Sequence, residues 1–363
     1  MFSKDSDYEW NKINTDGCAF KRVTVFDGES DVVRKLPNLK ERIDGCMNDI
    51  KPDVLVISGW SFPEALVLLD WANKRKVPAI LLSDSQERDK KRIFYKEWLK
   101  KLRVRRFAAA YVAGKPHVDY VEKLGMPRER IWTGSCVVDN DYWASQKEKI
   151  IAVEELAREE LRLPNRYFLT VARFIPKKNI PMLLRAYSLY QRRAESPLAL
   201  VICGDGPDRQ AIEKIIRDDR IEQVQLVGFQ QADTLPYYYS LADCFILASS
   251  YEEQWGLVVN EAMASGLPVL VSEICGCADD LVRHGVNGFT FDPFAPDVLA
   301  EKMLSVTRDE GKRRLMGEES QAIIKEFSCE EAARNMLKCV QAVTAREDRA
   351  LLEDARRSCL RRG

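Results

Sequence analysis

Along this chain short unbroken apolar runs alternate with longer stretches in which apolar residues recur every three or four positions. The runs predict strands at 22–26, 53–58, 78–83, 108–114 and 131–135 in the first half. In the second half they predict strands at 167–173, 198–204, 224–228, 244–249, 268–272 and 288–292. The intervening stretches, such as "PEALVLLDWANKR" and "VDYVEKLG", have helical spacing. Strands that are apolar throughout, rather than on alternate positions, belong to parallel sheets covered by helices on both faces. Two such series predict an α/β protein of two Rossmann-like, doubly wound domains.

The first domain is expected over 1–148 and the second over 149–325, divided where "SQKEKIIAVEELAREELRLPNR" turns charged. A helical segment over 326–363 follows, opened by Ser328 and Glu331 in the S-x-x-E spacing of a capping box and expected to pack back toward the first domain. At 363 residues, 46% apolar and 31% charged, the chain can bury two cores. Lys+Arg and Asp+Glu both number 56, so no bulk charge argues for nucleic acid. The ten cysteines are scattered, and the close pair Cys275 and Cys277 matches neither a zinc site nor a redox motif. With only two histidines, His117 and His284, and no long apolar run, no metal and no membrane span are expected. The expected setting is cytoplasmic.

Ligands of open α/β sheets bind beyond the carboxyl ends of the strands. In the second half those ends carry "FIPKKN", which puts Arg173 and Lys178 on one loop, and "DGPDRQ" after Gly204. The third is "SYEEQWGLVVNE", in which Gly256 opens a predicted helix whose free N–H groups suit a phosphate. Glu253 precedes that helix and Glu261 lies inside it, the one charged residue between Gln254 and Ser272. Carboxylates accept strongly from sugar hydroxyls and cations meet a diphosphate, so the set fits a phosphorylated, hydroxylated ligand. Lys177, adjacent to Lys178, is an equal candidate for that cation. A purely structural, paired carboxylate is the other reading of Glu261.

At these residues the chain resembles glycosyltransferase family 4, the retaining nucleotide-sugar enzymes of GT-B fold. The spacing Glu253-x7-Glu261 in "EEQWGLVVNEAMASGLPV" is similar to that family's signature, as are "VARFIPKKNI", "VICGDGPDR", "VQLVGF" and "GVNGFTFDP" in the same order. Ala172 and Asn179 stand where the family more often has glycine. The resemblance implies that Glu253, Arg173 and Lys178 are catalytic. It implies that Glu261 accepts from the donor ribose, that Gly256 and Leu257 cradle phosphate or sugar, and that Gly204, Gly228 and Phe229 border the donor. It also implies a UDP-, GDP- or ADP-sugar donor, an unknown acceptor and no obligatory metal. Asp84 and His117 are the acceptor-side candidates, since "PAILLSDS" lacks the histidine common at that place.

The chain opens "MFSKDSDYEWNKINTDG" with no apolar strand, so the first domain is expected to lack its first strand-helix unit. That leaves a catalytically weak nucleotide-sugar-binding protein as the alternative to an active transferase; a nucleotide-sugar epimerase fits the spacing less well. Residues 86–107 hold ten Lys or Arg against three acids, with Phe94, Tyr95, Trp98, Leu99 and Leu102 at helical spacing. A helix packed on its own domain is the favoured reading, and peripheral contact with an anionic membrane surface the other.

Overall fold

The computed structural model describes residues 19–26, 32 and 34–360, the last helix from residue 346 onward by its backbone alone. The apolar runs assemble into two parallel sheets. The first holds β1 (Leu55–Ser58), β2 (Ala79–Ser83), β3 (Ala109–Val112) and β4 (Ile131–Thr133), side by side in that order. The second holds β5 (Tyr167–Val171), β6 (Ala199–Cys203), β7 (Val224–Gly228), β8 (Cys244–Leu247), β9 (Val269–Ser272) and β10 (Gly288–Phe291). Its order is β10-β9-β8-β5-β6-β7, so the direction of winding reverses between β5 and β8.

Both faces of the second sheet are buried, which explains why its strands read as continuous apolar runs. Tyr167, Leu169, Val201, Phe245, Leu247 and Val269 point into one core, whereas Phe168, Leu200, Ile202, Cys244, Ile246 and Leu270 point into the other. The strand period of two sorts neighbouring residues to opposite sides. In the first sheet Ile57, Leu81, Ala110 and Val112 meet Leu69 and Tyr120.

The run at 22–26 is not a strand. Phe26 is buried against Leu39 and Ile43 with the Arg42 guanidinium 4.4 Å above its ring, but the segment forms no ladder with a neighbour. An apolar run needs a partner edge to become a strand, and among the described residues the first sheet closes at β1.

The helix Phe94–Val104 also departs from the favoured reading. It buries only Val104, while Phe94 is 88% and Trp98 55% exposed. Its inward side is polar: Lys100 donates to Glu97 at 2.7 Å and to the Tyr120 hydroxyl at 2.8 Å, and that hydroxyl donates to Glu97.

Two segments join the sheets. The helix Asn140–Ile151 runs unbroken across residue 148 and packs Trp143 edge-on against Tyr239 of the second sheet's layer, with centroids 5.2 Å apart. The long helix Cys329–Leu360 begins where Ser328 Oγ accepts from the Glu331 N–H at 3.2 Å, and Cys339 and Val343 pack on Ile80, Ala109 and Tyr111 of the first sheet. The two crossings touch: Asn140 Nδ2 donates to the Ile324 carbonyl at 2.9 Å and to that of Phe327 at 3.3 Å.

The Tyr111 hydroxyl donates to the Ala332 carbonyl at 2.8 Å, tying the long helix to the first sheet. Tyr111→Phe should therefore lower stability by about 1 kcal/mol, read as a lower thermal midpoint. An unchanged midpoint would show that this bond adds nothing beyond what water supplies.

Candidate active site

The reversal between β5 and β8 leaves a crevice at the carboxyl ends of these strands, where ligands of doubly wound sheets bind. A cleft of about 610 Å³ opens there. Its lining brings together the loops after β5, β6, β7 and β8 through Arg173, Lys177, Lys178, Gly204, Phe229 and Glu253.

Glycine lets the β5 and β6 loops meet. A Cβ on Gly204, at φ +144°, would lie 1.8 Å from the Ala172 carbonyl oxygen, and one on Gly206 2.6 Å from that of Phe174. The loops are stitched by Phe174 N–H to Asp205 O at 2.8 Å and Asp208 N–H to Phe174 O at 3.1 Å. Asn179 stands at φ +56°, a left-handed position that asparagine tolerates, which accounts for its presence where glycine is commoner. Its amide donates to the Pro293 carbonyl at 2.8 Å and anchors the turn that carries both lysines.

Glu253 is buried beside those lysines. Its Oε2 accepts from Lys178 Nζ and, at 2.7 Å, from Ser249 Oγ. Burial alone would raise its pKa, but the charges of Lys178 and Lys177 and these hydrogen bonds outweigh it and hold the carboxyl below its ordinary value. Glu253 is therefore an ionised group with a fixed orientation. Lys177, the cation the sequence could not separate from Lys178, lines the same cleft and reaches the Glu252 carbonyl at 3.4 Å.

Glu261 lies on the helix Leu257–Ala264, whose N-cap is Gly256 at φ +107°. It is half-buried, and Oε2 accepts from the Tyr239 hydroxyl at 2.7 Å. Burial raises its pKa to about 7, against the lowering effect of that bond. The next turn back, Val258, lines the cleft; Glu261, Gly256, Leu257 and Gly228 are not among the residues that line it. Gly228, at φ +78°, accepts from the Gly204 N–H at 2.7 Å, which holds the β7 turn against the β6 loop.

The two acceptor-side candidates are placed differently from expectation. His117 does not face the open cleft. It is fully buried, with Nδ1 accepting from the Gly114 N–H at 3.3 Å, Nε2 donating to the Gln254 carbonyl at 2.8 Å, and its ring against Trp255. Burial lowers its pKa and favours this neutral form. Asp84 is exposed and outside the cleft lining, while Gln86, two residues further along the same loop, is fully buried against the Glu253 loop. A polar residue just beyond a strand end is the only signal by which Gln86 was findable, and Asp84 and Ser85 share it. Among the described residues no cluster of His, Cys, Asp and Glu could hold a metal ion.

With this geometry, the chain belongs to the glycosyl transferases group 1, whose family model matches residues 134–322. An uncharacterized glycosyltransferase of Methanocaldococcus jannaschii is 36% identical over 146 residues, covering 40% of this chain and 36% of that protein. The D-inositol 3-phosphate glycosyltransferase of Salinispora tropica is 29% identical over 211 residues, covering 55% and 43%. The matches thus span less than half the length of either relative. Among solved structures, Anabaena HepE in complex with UDP superposes with a TM-score of 0.70 at 18% identity, over 87% of this chain and 85% of that one. At that identity the likeness is one of fold, the GT-B arrangement of two parallel-sheet α/β domains.

The raised pKa of Glu261 predicts a pH dependence of stability. The folded chain holds this proton more tightly than the unfolded one, so stability present below the ordinary value of 4.5 is lost as pH rises through about 7. Glu261→Gln should then be more stable than the wild type at pH 8, by on the order of 2 kcal/mol, and equal to it near pH 4. Equal denaturation midpoints at both pH values would mean that water already solvates the carboxylate.

Proposed function

We propose that the protein moves a sugar from a nucleoside-diphosphate sugar to an acceptor hydroxyl, with retention at the anomeric carbon and without an obligatory metal. The observation that carries this reading is the placement of Arg173, Lys177 and Lys178 on one strand-end loop, lining the cleft together with the ionised Glu253, to which Lys178 is bonded. Three cations on a preorganised turn supply the charge that a departing diphosphate needs. The family membership and the UDP named with the HepE structure point to the same donor class.

In this reaction the bond from the anomeric carbon to the diphosphate oxygen breaks as the acceptor oxygen bonds to that carbon on the same face. The acceptor proton passes to the departing phosphate oxygen. Glu253, ionised and without a proton to give, steadies the positive charge on the sugar carbon and orients its hydroxyls. Arg173 and the lysines hold the diphosphate. Glu261 takes the ribose hydroxyls, with Tyr239 fixing its rotamer. The N–H groups at Gly256 and Leu257 favour the sugar phosphate, and Phe229 borders the base.

Incubation with UDP-, GDP- and ADP-sugars, following release of the diphosphate and the anomeric configuration of the product, tests the reading. Glu253→Gln should keep nucleotide affinity and lower turnover about a hundredfold or more. Lys178→Ala should weaken the diphosphate by about 1.5 to 3 kcal/mol. Tight nucleotide binding without sugar release under any acceptor would instead support the binding-protein alternative. An inverted product would overturn retention.

The first domain offers a surface for the acceptor side. The exposed Phe94, Tyr95, Trp98, Leu99 and Leu102 share one face of their helix, and Lys91, Lys96, Lys101 and Arg105, which form no ion pair among the described residues, lie on or beside it. No described helix is long and apolar enough to cross a membrane. An aromatic face flanked by cations suits the headgroup region of an anionic bilayer. The protein should therefore sediment with phosphatidylglycerol-containing vesicles and not with pure phosphatidylcholine, and Phe94→Ser with Trp98→Ser should abolish this. A concentration-dependent dimer with no vesicle binding would assign the face to a second copy of the chain.

A further inference from the structure

The loop that carries Glu253 is held from the first domain. Gln86, from the turn after β2, donates from Nε2 to the Glu253 carbonyl at 3.0 Å and to the Ile274 carbonyl at 3.1 Å. His117, from the helix after β3, donates to the next carbonyl, that of Gln254. Both side chains are fully buried. Two of their three targets, the Glu253 and Gln254 carbonyls, are consecutive and next to Glu252, whose φ of +50° is one a glutamate rarely adopts. Close packing leaves no slack there: a Cβ on Gly276 would lie 1.6 Å from the Gln254 carbonyl oxygen and 2.9 Å from His117 Cε1.

A rim of charged bonds surrounds the buried pair. Arg88 donates to the Glu273 carbonyl at 3.0 Å and to Asp279 at 2.6 Å. The Lys115 N–H, in the first turn of its helix, donates to both oxygens of Asp280 at 3.2 and 3.0 Å. Exposed contacts of this sort contribute little each. The two buried side chains differ, because opening the interface strands their donors together with the Gln254 and Ile274 carbonyls, leaving the Glu253 carbonyl only the Gly276 N–H at 3.0 Å.

We propose that Gln86 and His117 are positioning residues that couple the seating of the first domain on the second to the placement of the Glu253 carboxylate. The proposal rests on the transfer reaction above. Arg173, Lys178 and Glu261 all lie on the second domain, so nucleotide binding does not need the latch. Turnover does, because a backbone freed at residue 254 and held at Glu253 by the Gly276 N–H alone lets the carboxylate drift from the reacting carbon.

The test uses the full chain, with Gln86→Leu and His117→Phe removing each donor and His117→Gln restoring one at the position of Nε2. Three quantities are measured: turnover with the sugar donor found active, Kd for the matching nucleoside diphosphate, and amide exchange across residues 251–256. The expected result is a turnover lowered about tenfold or more, a Kd unchanged within about twofold, and faster exchange at 251–256, with His117→Gln closer to the wild type than His117→Phe. Faster exchange with full turnover would overturn the coupling, and a Kd that weakens in step with turnover would make the two residues donor ligands instead. Should the wild type transfer no sugar, the transfer reading fails on its own; unchanged exchange in Gln86→Leu would separately overturn the latch.

Discussion

The ion pair of Lys178 with Glu253 is the interaction on which the site depends. It joins the loop after β5 to the loop after β8, the two strands between which the second sheet reverses direction. Buried pairs return little net stability, because desolvation offsets their attraction. Removing one partner, however, strands the other charge where it has no water. The pair therefore restricts what the crevice can become: an ionised carboxylate and one of the cleft's cations are kept within bonding distance.

That arrangement explains how two unlike carboxylates arise on neighbouring stretches of chain. Glu253 has Lys178, Lys177 and Ser249 about it and is held ionised despite burial. Glu261, eight residues on, has one neutral hydroxyl donor and is pushed up to about 7. The first is a permanent negative charge and the second is half-charged near neutral pH, gaining full charge only above it. A nucleotide whose ribose hydroxyls donate to Glu261 relieves the second environment and leaves the first untouched.

Much of this was legible in the chain. Strands buried on both faces have a continuous apolar signature, so all six of the second sheet were found, with errors only where they turn into loops, as at Ala248 and Ser249 after β8. Arg173, Lys178, Gly204 and Glu253 were findable because strand ends concentrate unusual residues, Phe229 only through the family resemblance, and the cleft gathers all five. The run at 22–26 misled because a strand is defined by its neighbour, which local composition does not reveal. The helix Phe94–Val104 misled for a related reason: helical spacing identifies an apolar face without saying whether anything covers it, and here a Glu97–Lys100–Tyr120 network faces inward instead. Gln86 and His117 stayed hidden as interdomain contacts because their partners are backbone carbonyls more than a hundred residues away, which no side-chain pattern marks.

The bonded crossings at Asn140 carry a mechanical consequence. The chain passes between the two sheets once before Asn140 and returns after Phe327, and the Asn140 amide pins these passages together. Two adjacent passages held by one amide keep the covalent links between the sheets at a single place. The first unit is also discontinuous in sequence, since Cys339 and Val343 complete its core from the far end of the chain. A single cut near Ile324 would not release two intact halves, because the passage at Asn140 still joins them and the last helix would be held on the first sheet by noncovalent contacts alone.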